Sequence, residues 1–221
     1  YDMYQQQPEQ RLFKETWKSL YVNHPLRYDV LGTPEDISNM RVEDLSTFYH
    51  YNYDPSKLTL VGITGQDIDK IMDIIKENQT RHPSLLNGEV KRIIHSEPDS
   101  CARSEFSCAM DISTPFVCVG YKEKTETDIH LAIKKDQCIQ MALDAAMTSL
   151  NPTYQTWLDN EIMTNINGAE CDFNVDHSAI LYYAQTHHPD AYIKMIDAMS
   201  KEFSKGMDPS IFKALKARAI A

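Results

Sequence analysis

Eight histidines, at 24, 50, 82, 95, 130, 177, 187 and 188, are the side chains best suited to hold a metal or carry a proton near neutral pH. A hydrolytic zinc site on a helix presents two imidazoles from one face, as in H-E-x-x-H or the inverted H-x-x-E-H. Neither motif occurs, and no two histidines stand three or four residues apart. His187 and His188 are adjacent, so their side chains diverge on either a helix or a strand. They read as the lead-in to a helix beginning at Pro189.

Nucleophiles are equally sparse. There is no G-x-S-x-G elbow, and none of the five cysteines (101, 108, 118, 138 and 171) has a basic context that would favour a thiolate. Gly62-Ile63-Thr64-Gly65-Gln66-Asp67 occupies a strand-to-helix connection, where phosphate loops lie. It lacks the third glycine of a dinucleotide loop and the lysine of a P-loop, and Asp67 and Asp69 would repel an anion. Tyr51, Tyr53, Tyr182 and Tyr183 have no basic neighbours and read as packing residues rather than base-stacking platforms.

The whole chain sets the frame for those residues. Its 221 residues, 42% apolar and 24% charged, are ordinary for a globular protein with one large or two modest domains. No run of eighteen apolar residues occurs, so no membrane span is expected. A net charge of −10 without a Lys/Arg stripe argues against nucleic-acid partners. The odd, irregularly spaced cysteines point to free thiols in a reducing cytoplasm, with Cys118 and Cys138 as small core residues. The opening Tyr1-Asp2-Met3-Tyr4 carries no signal-peptide pattern, and its abruptness suggests a partial chain.

Periodicity and punctuation predict the elements. A helix over 2–21, interrupted near Pro8, places Leu12, Phe13, Trp17 and Leu20 on one side. Thr33-Pro34-Glu35-Asp36 is a strong helix start, and a second helix covers about 42–53 with Leu45, Phe48 and Tyr49 at helical spacing. Residues 58–63 read as a buried strand, followed by an amphipathic helix over 66–78. Strands are expected at 103–112 and 116–122, joined through Ser113-Thr114-Pro115. Helices follow at 127–150 and 152–164. Strands at 169–175 and 178–186 meet at Asp176-His177, before helices at 189–204 and from Pro209 onward. Pro and Gly punctuation between 79 and 100, including Asn87-Gly88, marks a domain boundary.

The chain therefore reads as α+β, with two tandem domains of mostly antiparallel sheet and helices on one face. The expected division is 1–85, a linker over 86–102, and 103–221.

His24-Pro25, Gly32-Thr33, Ile37, Asp44-Leu45, Phe48-Tyr49, Tyr53, Pro55, Leu58, Leu60 and Gly62 form an ordered pattern. It resembles the second part of the catalytic domain of insulinase-type (pitrilysin-clan) zinc peptidases, a group that includes the mitochondrial processing peptidase. Met3-Tyr4, Pro8 and Arg11 match the E-I-x-M-Y-x-x-x-P-x-x-R run of bacterial members. Asp111-Ile112, Pro115 and Val117-Cys118-Val119-Gly120 resemble the strand pair that opens the family's second domain.

The resemblance implies metal-assisted peptide hydrolysis by an intact parent. There an H-x-x-E-H helix supplies two zinc ligands and the proton shuttle, and a later glutamate supplies the third ligand. Aligned on Met3-Tyr4, all of these precede Tyr1. The first domain is then truncated at its N-terminus and the second at its C-terminus. No catalytic, cofactor-binding or metal-ligating residue is assigned, since Asp2, Glu9 and Glu15 do not fit the third-ligand position. Zinc belongs to the parent and is not expected in this chain. Expected partners are a peptide substrate and a paired subunit or second half of the same protein. The alternatives are a non-catalytic core-type subunit that shapes a partner's chamber, and a generic α+β interaction module.

Overall fold

The computed structural model describes residues 1–84 and 93–220, so the Asn87-Gly88 turn and the start of the 86–102 linker lie outside the described residues. In chain order the elements are α1 (Asp2–Gln5), α2 (Pro8–Leu20), a 3-10 turn (Pro25–Arg27), α3 (Pro34–Asn39) and α4 (Val42–Asn52). A second 3-10 turn (Pro55–Lys57), α5 (Ile68–Gln79), β1 (Phe116–Lys122) and α6 (Ile129–Ala146) follow. The rest comprises α7 (Tyr154–Asp159), β2 (Asn167–Phe173), β3 (Ser178–Gln185), α8 (Pro189–Phe203) and α9 (Pro209–Ile220). No helix among the described residues is long and apolar enough to cross a membrane.

Local chemistry explains most of the helix boundaries. Pro8 restarts the first helix after a break at residues 6–7. Thr33 and Asp36 form a reciprocal capping box: the threonine hydroxyl accepts from the Asp36 N–H, and the aspartate accepts from the Thr33 N–H. The side chains of Asp67 and Asp128 accept the first free N–H groups of α5 and α6. Gly206, at φ +109°, sits between α8 and α9 in backbone space that side chains rarely enter.

Two compact units result. One comprises Tyr1–Leu31 together with the chain from Ile94 onward, and the other is Gly32–Ile93. The first is built on an antiparallel three-stranded sheet of order β1-β3-β2. β3 reads Ser-Ala-Ile-Leu-Tyr-Tyr-Ala-Gln, an almost unbroken apolar run, and it takes the central place, with both faces covered. Ile180, Tyr182 and Ala184 face a core with Leu143 and Ala146 of α6 and Tyr192, Ile196 and Met199 of α8. Ala179 and Leu181 face the opposite way, onto Leu20, Tyr21, Phe13 and Trp17 of α2 and its continuation.

Gly120 of β1 permits that second layer. A Cβ there would meet Leu181, Leu20 and Thr16 side-chain carbons at 3.2 Å. On the same face, Cys118, Tyr183 and Gly168 form one cross-strand row, and Lys122, Ala179 and Asp172 form another near the β2–β3 turn.

The Gly32–Ile93 unit is different in kind. None of α3, α4 or α5 has a fully buried residue, and Leu45, Phe48, Tyr49 and Tyr53 are exposed.

Three expectations need correction. Residues 58–63 pair with no strand among the described residues; Leu60, Val61 and Ile63 stand exposed, because an apolar run becomes a strand only when a neighbour supplies the ladder. The stretch 103–112 is also irregular. It is anchored instead by Arg103, whose N–H donates to the Ser19 carbonyl and whose guanidinium reaches Glu15 at 2.9 Å. Cys138 is exposed on α6, whereas Cys118 packs against the α2 side of the sheet as expected.

Candidate functional site

At the C-terminal end of α2 the chain turns across the β2–β3 end of the sheet, and polar side chains from five segments converge there. Tyr21, fully buried, accepts the Ser178 N–H on its hydroxyl at 3.1 Å. Beyond it the N–H groups of Val22, Asn23 and His24 all donate to the Glu97 carboxylate, at 2.7, 2.7 and 2.8 Å. Lys122 of β1 adds its ammonium to Glu97 Oε1 at 2.7 Å and to the Ser100 carbonyl at 3.1 Å. Burial alone would raise the Glu97 pKa. The lysine and the three backbone donors outweigh it and bring the carboxyl down to about 2.

Next to this clamp lies a chain of acids and imidazoles. His177 Nε2 is 2.9 Å from Asp172 Oδ2, and its Nδ1 is 2.9 Å from Asp176 Oδ1. Carboxylates only accept, so a ring flanked by two of them donates from both nitrogens and is an imidazolium. Burial opposes that charge, but the bonds to Asp172 and Asp176 prevail and raise the His177 pKa. His24 is the reverse case, only 6% exposed. Its Nδ1 accepts the Leu26 N–H at 3.2 Å, which leaves the proton on Nε2, 4.0 Å from Asp176 Oδ2. Burial and the nearby His177 charge lower its pKa.

Ligand atoms of His24, Asp176 and His177 lie within 4.8 Å of one another, which invites a test of whether zinc fits. A zinc-bound imidazole must turn a lone pair to the ion. Both His177 nitrogens are committed as donors, and the acceptor nitrogen of His24 already takes a backbone N–H. No ring nitrogen in the trio presents a lone pair to a common centre, so the donors do not fit a resident zinc.

A cleft opens beside Asp172, lined by Trp17, Glu170, Cys171, Asp172, Ala179 and Leu181. It carries no activated nucleophile. Burial pushes the Cys171 thiol up to about 12, and burial with the Asp172 charge raises Glu170.

The residues singled out from sequence are scattered. His187 Nε2 is 3.3 Å from the Thr114 hydroxyl, and His188 precedes α8 with its N–H on Thr186 Oγ1. His50, His82 and His130 are exposed. Glu15 pairs with Arg103, while Asp2 and Glu9 lie in the first turns of α1 and α2. Sequence reading missed the meeting of His24 with His177 and of Glu97 with Lys122. The one local hint was Asp176-His177 placed at a strand turn.

Comparison with known proteins gives a consistent assignment. The family described as the peptidase M16 inactive domain matches residues 39–218. The uncharacterized zinc protease YmfH of Bacillus subtilis is 28% identical over 156 residues, covering 70% of this chain and 36% of its own length. The zinc protease PqqE of Helicobacter pylori is 23% identical over 204 residues, covering 88% and 44%. The chain thus spans less than half the length of these curated relatives. Among solved structures, an M16-like peptidase from Alicyclobacillus acidocaldarius superposes with a TM-score of 0.86 at 26% identity, over 99% of this chain and 52% of that one. A protease from Helicobacter pylori superposes at 0.79 and 19% identity, over 97% and 52%, which speaks for the fold alone.

Proposed function

Since the chain belongs to the peptidase M16 family, through the part described as its inactive domain, we propose that it is one section of a zinc-dependent peptidase and is not competent alone. Zinc in the parent would lower the pKa of its bound water and polarise the scissile carbonyl. The residues of this chain contribute scaffold and contact surface to that work, with no ligand and no proton shuttle among them.

The observation that carries this reading is the Gly32–Ile93 unit. Its three helices bury no residue, and its apolar stretch 58–63 has no ladder among the described residues. Large apolar side chains left exposed in this number, such as Leu45, Phe48, Tyr49 and Val61, favour an interface. Its partner is the remainder of the peptidase, either a second half of the same polypeptide or a paired subunit, and the substrate is a peptide. The division into 1–85, a linker over 86–102, and 103–221 stands as part of the proposal. Limited proteolysis checks it: two folded pieces separated within 86–102 support it, and a stable piece joining 1–31 to 94–220 counts against it. The unpaired thiols favour a reducing, cytoplasmic setting.

A second reading has one observation in its favour. The matched family is itself described as inactive, as befits a non-catalytic subunit that shapes a partner's chamber. The full-length parent separates the two. Stoichiometric zinc and chelator-sensitive cleavage of a peptide library by the parent, with neither in the 221-residue chain, supports the first. A zinc-free, inactive parent that raises a partner's activity supports the second. Tight one-to-one zinc in this chain alone overturns both.

A further inference from the structure

Leu58-Thr59-Leu60-Val61-Gly62-Ile63 has the composition of a sheet interior and no sheet around it among the described residues. Thr59, Val61 and Ile63 favour the pleated backbone, and the run holds no proline and no charge. Resting on the reading of this chain as one section of a peptidase, we propose that 58–63 is an interior strand of a β-sheet whose neighbouring strands are supplied by the remainder of that peptidase.

Three observations select paired strands as the partner rather than any apolar surface. The first is the backbone. No N–H or carbonyl of 59–63 has a hydrogen-bond partner among the described residues. Enclosing such a row of donors and acceptors is costly unless each is met, and extended backbone alongside meets them in one step.

The second observation is that both faces are apolar. Successive side chains of a strand point to opposite faces, so Leu58 and Leu60 share one face while Thr59, Val61 and Ile63 share the other. Leu60 is 71% exposed and Val61 83%, and a Cβ added at Gly62 would meet nothing within 4 Å. A strand with one wet face alternates apolar and polar residues; a run apolar on both faces suits cover on both.

The third is the lack of edge protection. Edge strands that must stay unpaired carry charges, proline or a bulge. Here the nearest charges, Lys57 and Asp67, lie outside the run. The chain spans 36% and 44% of the two curated relatives and 52% of each solved structure, so proteins of this kind contain ample further chain from which flanking strands can come.

Amide exchange compares the 221-residue chain with the assembled parent, whether one polypeptide or a pair. In the chain alone, the 59–63 amides should exchange within about tenfold of an open peptide. In the parent all of them should gain about a hundredfold or more in protection, because successive N–H groups of an interior strand engage a ladder on each edge in turn. Protection confined to alternate residues would make the run an edge, and no gain would make it a loop; either result overturns the proposal.

Substitution tests the two faces. Leu60→Asp and Val61→Asp act on opposite faces, and each should leave the urea midpoint of the 221-residue chain unchanged. In the parent each should cut co-purification of split halves about tenfold or more, since a carboxylate would be buried without a partner. Undiminished recovery of either variant overturns the proposal, and if the variants are insoluble the wild-type exchange profile decides alone. Zinc and cleavage do not enter these readouts. A zinc-free, inactive parent that protects 59–63 removes the peptidase reading and keeps the strand, whereas an active, zinc-loaded parent with unprotected 59–63 amides removes the strand and keeps the peptidase.

Discussion

Lys122 Nζ lies 2.7 Å from Glu97 Oε1, with only 7% and 8% of the two side chains exposed. The pair is tied into the fold by the three N–H groups of Val22, Asn23 and His24, and so has the satisfied geometry that a buried ion pair requires. Glu97→Gln leaves Lys122 buried beside a neutral amide whose NH2 group can face backbone donors. A destabilisation of about 3–5 kcal/mol is expected, read from urea unfolding followed at Trp17.

Acid gives a complementary test of the same carboxylate. Its folded pKa, about 2, lies below the ordinary glutamate value, so its contribution is present above that ordinary value. It is lost as pH falls through the interval between the two. A urea midpoint that stays flat across this interval in wild type, and does not differ there from Glu97→Gln, would remove Glu97 from the account.

Gly120→Val should loosen α2 from the sheet. A Cβ at that position already stands 3.2 Å from Leu20, Leu181 and Thr16, and two further methyl groups have no room. The expected loss is about 1–3 kcal/mol, with selective loss of amide protection in α2. Protection unchanged in α2 would show that the layer tolerates expansion.

Thiol reactivity should divide the cysteines into two classes. Cys101, Cys108 and Cys138 are exposed, whereas Cys118 and Cys171 are partly enclosed with thiols pushed up to about 11 and 12 by burial. An aromatic disulfide reagent at neutral pH should modify the first three quickly and the other two only on unfolding. Fast modification of Cys118 would contradict the packing of β1 against α2.

Phe48, 60% exposed on α4, should be replaceable by Asp within about 0.5 kcal/mol of the wild-type stability of this chain. In the full-length parent the same Phe48→Asp change should impair association of the two portions, measured by co-purification of split halves. Equal recovery of wild type and variant would exclude α4 from the interface.

Much of the fold was legible because it is locally encoded. Thr33-Pro34 and Pro189 mark helix starts by chemistry that acts within a few residues, and the apolar run of β3 announces a strand. What failed is non-local. Leu58–Ile63 has the composition of a buried strand, but pairing depends on what lies alongside, and nothing local to those residues supplies it. The candidate site was harder still. His24 and His177 carry no shared spacing, and Glu97 looked like part of a punctuated linker; only folding of α2 against the sheet brings them into contact. The family motifs named the relatives correctly without locating this cluster.

The Glu97 clamp has one more consequence. It joins Val22–His24 to a residue 73–75 positions later, and the Gly32–Ile93 unit lies wholly within the loop so closed. One carboxylate thus closes a loop of chain that contains all of Gly32–Ile93. Lengthening or shortening that loop changes the entropic cost of closing it only logarithmically, so the clamp tolerates wide variation in what it encloses.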